Sequence, residues 1–173
     1  MAEVVLGLGS NLNNRQKLLM QAVKKLSQKI GALLDYSSIY ETEPLYFQEQ
    51  PDFLNLVVMM KTKLSPLELL DSCQKIEKEM GRKRGPEKNR PRLIDIDILY
   101  FNAQVVNENR LQIPHPKIKE RKFVLKPLSE MAAHYIDPAS GRSIKQLYEN
   151  CSDNSRVILF KNRKKLTHKL DSL

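Results

Sequence analysis

The sequence predicts an α+β fold: a mainly antiparallel sheet with helices packed on its faces. Three observations carry this. Apolar residues recur at helical spacing in two separated segments, around 18–30 and 69–80. Short runs rich in β-branched and large apolar residues flank those segments. Their order along the chain is strand, helix, strand, strand, helix, strand, the β-α-β-β-α-β arrangement of ferredoxin-like cores.

Val4–Leu8 is the first strand and ends in the turn residues Gly9, Ser10 and Asn11. Asn13 and Asn14 precede a helix whose apolar face is Leu18, Leu19, Ala22, Val23, Leu26 and Ile30. Leu34, Tyr36, Ser38 and Tyr40 form one extended segment reaching Thr42-Glu43-Pro44, and Phe53–Lys63 is a second long strand. The next helix has the clearest start: Ser65 caps, Pro66 takes the first position and Glu68 completes a capping box. Leu69, Cys73, Ile76 and Met80 are its apolar stripe, and Gly81 closes it. A strand then runs over Arg92–Phe101. Pro114-His115-Pro116 is rigid punctuation, followed by a helix over Phe123–Met131, a short helix at Ser143–Tyr148 and a terminal strand at Arg156–Phe160.

With 173 residues, one domain is expected, spanning 1–160, with a basic, partly disordered tail at 161–173. The tail holds five basic residues against Asp171, so the net charge of +9 leaves +5 on the body, which suits a polyanionic ligand. No apolar run is long enough to span a bilayer, the N-terminus reads as a strand, and two scattered cysteines form no disulfide framework. A cytoplasmic monomer acting on small molecules, with neither membrane nor nucleic acid as partner, is the expectation.

The most informative stretch is Arg92-Leu93-Ile94-Asp95-Ile96-Asp97-Ile98-Leu99. In a strand, Ile94, Ile96 and Ile98 share one face, and Asp95 and Asp97 stand on the other with Cα atoms ~6.5–7 Å apart. Two carboxylates on one face repel and resist desolvation, so a cation is expected over them. Mg²⁺ takes oxygen ligands, commonly one or two carboxylates together with substrate phosphates. The plainer alternative for an isolated Asp-x-Asp is a solvated strand face. Its surroundings argue otherwise: six cations crowd residues 82–92, namely Arg82, Lys83, Arg84, Lys88, Arg90 and Arg92. Such a segment is either a solvated loop or a lid that closes on an anion, since forked guanidinium donors suit phosphate oxygens. Glu77 and Gln74 flank the apolar stripe of the second helix, and His115 is held between two prolines. Asn55 lies inside the apolar run Leu54–Met60, where an amide must find partners. No Walker, protein-kinase or Rossmann glycine motif is present.

Taken together, the motifs resemble the 6-hydroxymethyl-7,8-dihydropterin pyrophosphokinase family. They are Gly9-Ser10-Asn11-Leu12, Tyr40-Glu41-Thr42-Glu43-Pro44, Phe53-Leu54-Asn55, Glu77 with Gly81-Arg82, Pro91 to Leu99, Pro114-His115-Pro116 and Arg121 to Leu125. The resemblance runs in order from Val5 to about residue 150. It implies transfer of the pyrophosphoryl group of ATP to the hydroxymethyl oxygen of the reduced pterin, releasing AMP. It further implies two Mg²⁺ ions on Asp95 and Asp97, with Arg82, Arg92, His115 and Arg121 contacting ATP or stabilising developing charge. Gln74, Glu77, Arg84, Ile98 and Arg110 match nucleotide positions, and Thr42, Leu45, Phe53, Asn55 and Phe123 match the pterin slot. The chain departs from the family at Asn89, where well-known members carry tryptophan, at Gly85-Pro86, and at Glu43, which replaces a proline.

Two rival readings are weaker. An RNA-recognition sheet would carry an Arg/Lys-Gly-aromatic pattern, which is absent, and the Asp pair would repel phosphate without metal. A two-metal nuclease fits the Asp pair but leaves Asn55 without a role.

Overall fold

In the computed structural model, which describes residues 1–82 and 90–166, the central strand β1 (Ala2–Ser10) lies between β5 (Asp95–Phe101) and β4 (Phe53–Thr62). The six-stranded antiparallel sheet continues from β4 to β3 (Ile39–Thr42) and ends at β8 (Val157–Lys161). Strand β2 (Gly31–Tyr36) pairs the C-terminal half of β4, and β3 pairs its N-terminal half. The single extended segment expected over 34–42 is therefore two strands. Ser37 and Ser38 make the break: the Ser37 hydroxyl accepts the Val57 N–H at 3.0 Å, satisfying a backbone donor that an unbroken ladder would have used.

Helices α1 (Arg15–Lys29) and α2 (Pro66–Glu79) cover one face of the sheet, packing Leu19, Val23, Leu69 and Ile76 on Leu6, Leu56, Ile96 and Ile98. Helices α3 (Lys122–Ala132) and α4 (Ile144–Glu149) cover part of the other, packing Val124, Leu125 and Leu147 on Val5, Val57, Leu99 and Tyr100. The α2 start is as expected, with Ser65 and Glu68 forming a reciprocal capping box, and Gly81 takes φ +90° just past its end. Pro127 sits inside α3, where its ring packs in the buried face.

Between β5 and α3 a small hairpin, β6 (Val106–Glu108) and β7 (Leu111–Ile113), was not expected; three-residue strands are too short to show a period. The domain boundary expected after residue 160 falls within β8. Beyond it Arg163 pairs with Asp35, its N–H donates to Ser38 Oγ at 2.9 Å, and Leu166 is fully buried in the core. The start of the basic tail is thus folded onto the body. Arg84, Gly85, Pro86 and Asn89, and with them most of the expected lid, lie outside the described residues, as does 167–173.

Candidate active site

The α3/α4 layer stops short of the N-terminal ends of β4 and β5, and a cavity of about 840 Å³ opens there. That volume lies within the range of small-molecule sites. Antiparallel register builds its floor. Gly9 of β1 stands opposite Asn55 on β4 and Asp95 on β5, and Gly7 stands opposite Val57 and Asp97. Directly paired residues share a face, so the two aspartates and Asn55 point the same way over a glycine floor. A β-carbon on Gly9 would lie 3.2 Å from Asn55 Oδ1 and 3.8 Å from the Phe53 ring, filling the slot the glycine keeps open. A bulge follows: Val5 pairs Tyr100 while Leu6 pairs Ile98, so Leu99 and Tyr100 both turn to the α3/α4 layer. The bulge lets one strand offer carboxylates at one end of that face and apolar packing at the other.

The aspartates are held by cations from three directions. Arg82, just past α2, bonds through one guanidinium nitrogen to both Glu77 and Asp95. Arg92 Nη1 is 3.1 Å from Asp95 Oδ2, and Arg121 Nη1 is 3.3 Å from Asp97 Oδ2. Burial works against the Arg82 charge, but Asp95 and Glu77 outweigh it and raise its pKa. For Asp97 burial comes first and the Asp95 charge second; together they push its pKa up despite Arg121 and Arg92. At Asp97 the nearby Arg121 and Arg92 do not offset burial and the Asp95 charge, so a further cation would be accommodated there. Among the described residues no three His, Cys, Asp or Glu side chains cluster as a closed metal cage. The donor set, two carboxylates beside arginines, fits Mg²⁺ completed by substrate oxygens and water.

Hydrogen-bond donors suited to an anion are present as well. The Nε atoms of Arg92 and Arg121 are buried without a hydrogen-bond partner among the described residues. Buried donors of this kind are normally satisfied, so an anion is the fitting complement. His115 receives the Lys117 N–H on Nδ1 at 3.1 Å, which places its proton on Nε2, 3.4 Å from Arg121. Burial and then the Arg121 charge lower its pKa to about 4, so it is a neutral donor.

At the other end, Asn55 is 6% exposed and its Nδ2 donates to Thr42 Oγ1 at 2.8 Å. The Arg92 guanidinium lies 5.2 Å over the Phe53 ring, and that of Arg121 lies 5.6 Å over Phe123. Leu45 lines the same cavity, and Gln74, Ile98 and Arg110 line the nucleotide end expected from the sequence. Ile98 keeps its side chain in the α1/α2 core, and Arg110 pairs with Asp71 at 2.5 Å. Every expected site residue but Arg84, which is outside the described residues, borders this one cavity. Sequence reasoning missed Asn109, Leu111 and Gln112, carried by the hairpin, and Asn11. Asn11 is buried; its Oδ1 accepts the Arg92 N–H at 2.8 Å, while its Nδ2 donates to Gln50 Oε1 at 2.9 Å and to the Pro51 carbonyl at 3.1 Å. It sits within the Gly9-Ser10-Asn11-Leu12 motif, and the turn-forming character of asparagine hid its bridging role.

The family model of 7,8-dihydro-6-hydroxymethylpterin-pyrophosphokinase (HPPK) matches residues 5–133. The chain is 45% identical over 127 residues to the Bacillus subtilis 2-amino-4-hydroxy-6-hydroxymethyldihydropteridine pyrophosphokinase, covering 73% of this chain and 75% of that one. With the Haemophilus influenzae protein of the same name it shares 39% identity over 160 residues, covering 92% of this chain and 99% of that one. It also matches the Pneumocystis carinii folic acid synthesis protein fol1 at 42% identity over 87% of this chain, but spans only 20% of that longer protein. The fold is similar to wild-type Plasmodium falciparum HPPK-DHPS, with a TM-score of 0.68 at 19% identity, covering 86% of this chain and 44% of that one. The chain belongs to the 7,8-dihydro-6-hydroxymethylpterin-pyrophosphokinase family, and is an enzyme of folate synthesis that transfers the pyrophosphoryl group of ATP to the hydroxymethyl dihydropterin.

Proposed function

We propose that the transfer takes place over Asp95 and Asp97, with ATP entering from the α2 and hairpin side and the pterin from the Asn55 side. The observation that carries this reading is the shared face: Asn55, Asp95 and Asp97 stand across a glycine floor, with arginines at both carboxylates. Two Mg²⁺ ions held by Asp95 and Asp97 would supply charge neutralisation and acidify the attacking hydroxyl.

The protein's own groups do the rest. Asn55 and Thr42 offer amide and hydroxyl partners to the pyrimidine-like edge of the pterin, and Phe53 and Phe123 offer ring faces. Arg92 and Arg121 turn their buried Nε donors to phosphate oxygens, and neutral His115 donates from Nε2 to the same group. Arg82, fixed by Glu77 and Asp95, supplies a positive charge where negative charge develops. Asp97 is placed to take the hydroxyl proton. Little covalent work is left, and rate comes from positioning and electrostatics.

Both cysteines are free thiols, which suits a reducing compartment such as the cytoplasm. Pterin, Mg²⁺ and ATP incubated with the protein should give AMP, and omission of pterin or metal should abolish it. AMP formed without pterin, or ADP in its place, would refute the reading.

A further inference from the structure

The family match ends at residue 133, yet the chain beyond it returns to the site. Residues 153–157 bond to chain neighbours of both aromatic walls of the pterin slot. On one side, the loop joining β3 to β4 starts at Glu43, next to Thr42, and ends at Asp52, next to Phe53. The Arg156 N–H donates to Glu43 Oε1 at 2.8 Å, and Arg156 Nη2 donates to Asp52 Oδ2 at 2.7 Å. One residue thus ties both ends of the loop together. Val157 pairs with Thr42 in the sheet directly beside it. On the other side, Asp153 Oδ2 accepts the Lys122 N–H at 2.9 Å, and Lys122 Nζ donates to the Ser155 carbonyl at 3.3 Å. Lys122 opens α3 between Arg121 and Phe123. The Ser155 N–H closes onto Asp153 Oδ1 at 2.8 Å, so the two attachments are one short, internally bonded segment.

We propose that residues 153–157 brace the pterin slot, with Arg156 and Asp153 as positioning residues for Phe53 and Phe123. Neither residue lines the cavity. They act through the loop ends and the first turn of α3, setting the separation of the walls between which a flat ring must fit. Glu43 has a defined task here: its carboxylate accepts the Arg156 N–H, which a residue without a side-chain acceptor could not do. Arg15 of α1 independently holds Glu41 at 2.7 Å and the Asp52 carbonyl at 2.7 Å, so loss of Arg156 loosens the loop without detaching it.

This inference rests on the slot being the pterin site, and the test separates the two. Arg156→Gln and Asp153→Ala should each raise KM for hydroxymethyl dihydropterin about two- to fivefold, the range of partly exposed ion pairs, and together about tenfold. KM for ATP should stay unchanged, and Arg156→Lys should recover part of the loss. An unchanged pterin KM in both variants, or an equal rise for ATP, would overturn the brace. If the wild-type chain showed no turnover, the pterin assignment would fall, and amide exchange over 43–53 would test the brace alone. Faster exchange in Arg156→Gln supports it; identical exchange overturns it.

Discussion

The carboxylate of Glu77 accepts the backbone N–H of Ile96 at 2.8 Å, fixing a buried helix residue onto the strand between the two site aspartates. The same carboxylate holds Arg82. Glu77 is 2% exposed, so the Ile96 N–H depends on it, while Arg82 is shared with Asp95. Glu77→Ala leaves the buried Ile96 N–H unpaired and Arg82 with Asp95 as its remaining carboxylate partner among the described residues, and should destabilise the fold by roughly 1–3 kcal/mol in urea unfolding. Glu77→Gln keeps an acceptor and should lose less. Equal losses from both substitutions would show that the Ile96 bond is unimportant.

Asp97 gives the opposite relation between stability and activity. Its pKa is raised, so the folded state holds its proton more tightly than the unfolded chain does. Its contribution to stability is present below the ordinary carboxylate range and is lost as pH rises through the folded value. Asp97→Asn should therefore not lower the thermal midpoint at pH 8, yet should cut turnover by about 10²-fold or more. A lowered midpoint would mean that the charge is stabilised rather than strained. Because nucleotide with Mg²⁺ favours the ionised form, its binding near neutral pH should also release protons, measurable as a dependence of binding heat on buffer ionisation enthalpy.

His115 titrates near 6.5 in an unfolded chain and about 4 in the fold. The folded state binds fewer protons between those values, so stability is full above 6.5 and declines as pH falls toward 4. NMR of the imidazole C2 proton should show a titration well below 6.5 in the free protein, moving up when triphosphate binds. A free-protein value of 6.5 would contradict the buried, Arg121-facing geometry.

Asn55→Ala should weaken pterin binding by roughly 1–3 kcal/mol, the cost of leaving hydrogen-bonding groups unpaired, and should leave ATP binding alone. Calorimetric titration of each substrate distinguishes this from a general loosening of the cavity.

Much of this site is legible in the sequence because strand geometry is strict. Period two alone puts Asp95 and Asp97 on one face, and an amide in an apolar run marks Asn55. The capping box at Ser65 sets where α2 begins and so where Glu77 and Arg82 fall. What stays hidden is set by long-range contacts. The register that brings Gly9 between Asn55 and Asp95 joins three segments far apart in the chain, and no local pattern encodes it. The split between β2 and β3 turns on one serine hydroxyl replacing a ladder bond. The β6–β7 hairpin is too short for periodicity, and the folding of Arg163 and Leu166 onto the body overrides a composition that reads as a solvated tail.

Transfer of an intact pyrophosphoryl unit over Asp97 is open to a rapid-quench single turnover with ATP labelled at its β and γ phosphorus atoms, run on the wild-type chain and on Asp97→Asn. Both labels should move together onto the pterin, leaving unlabelled AMP, and the variant should stop the transfer while still folding. Transfer of the γ label alone, or full transfer by Asp97→Asn, would contradict the proposed chemistry.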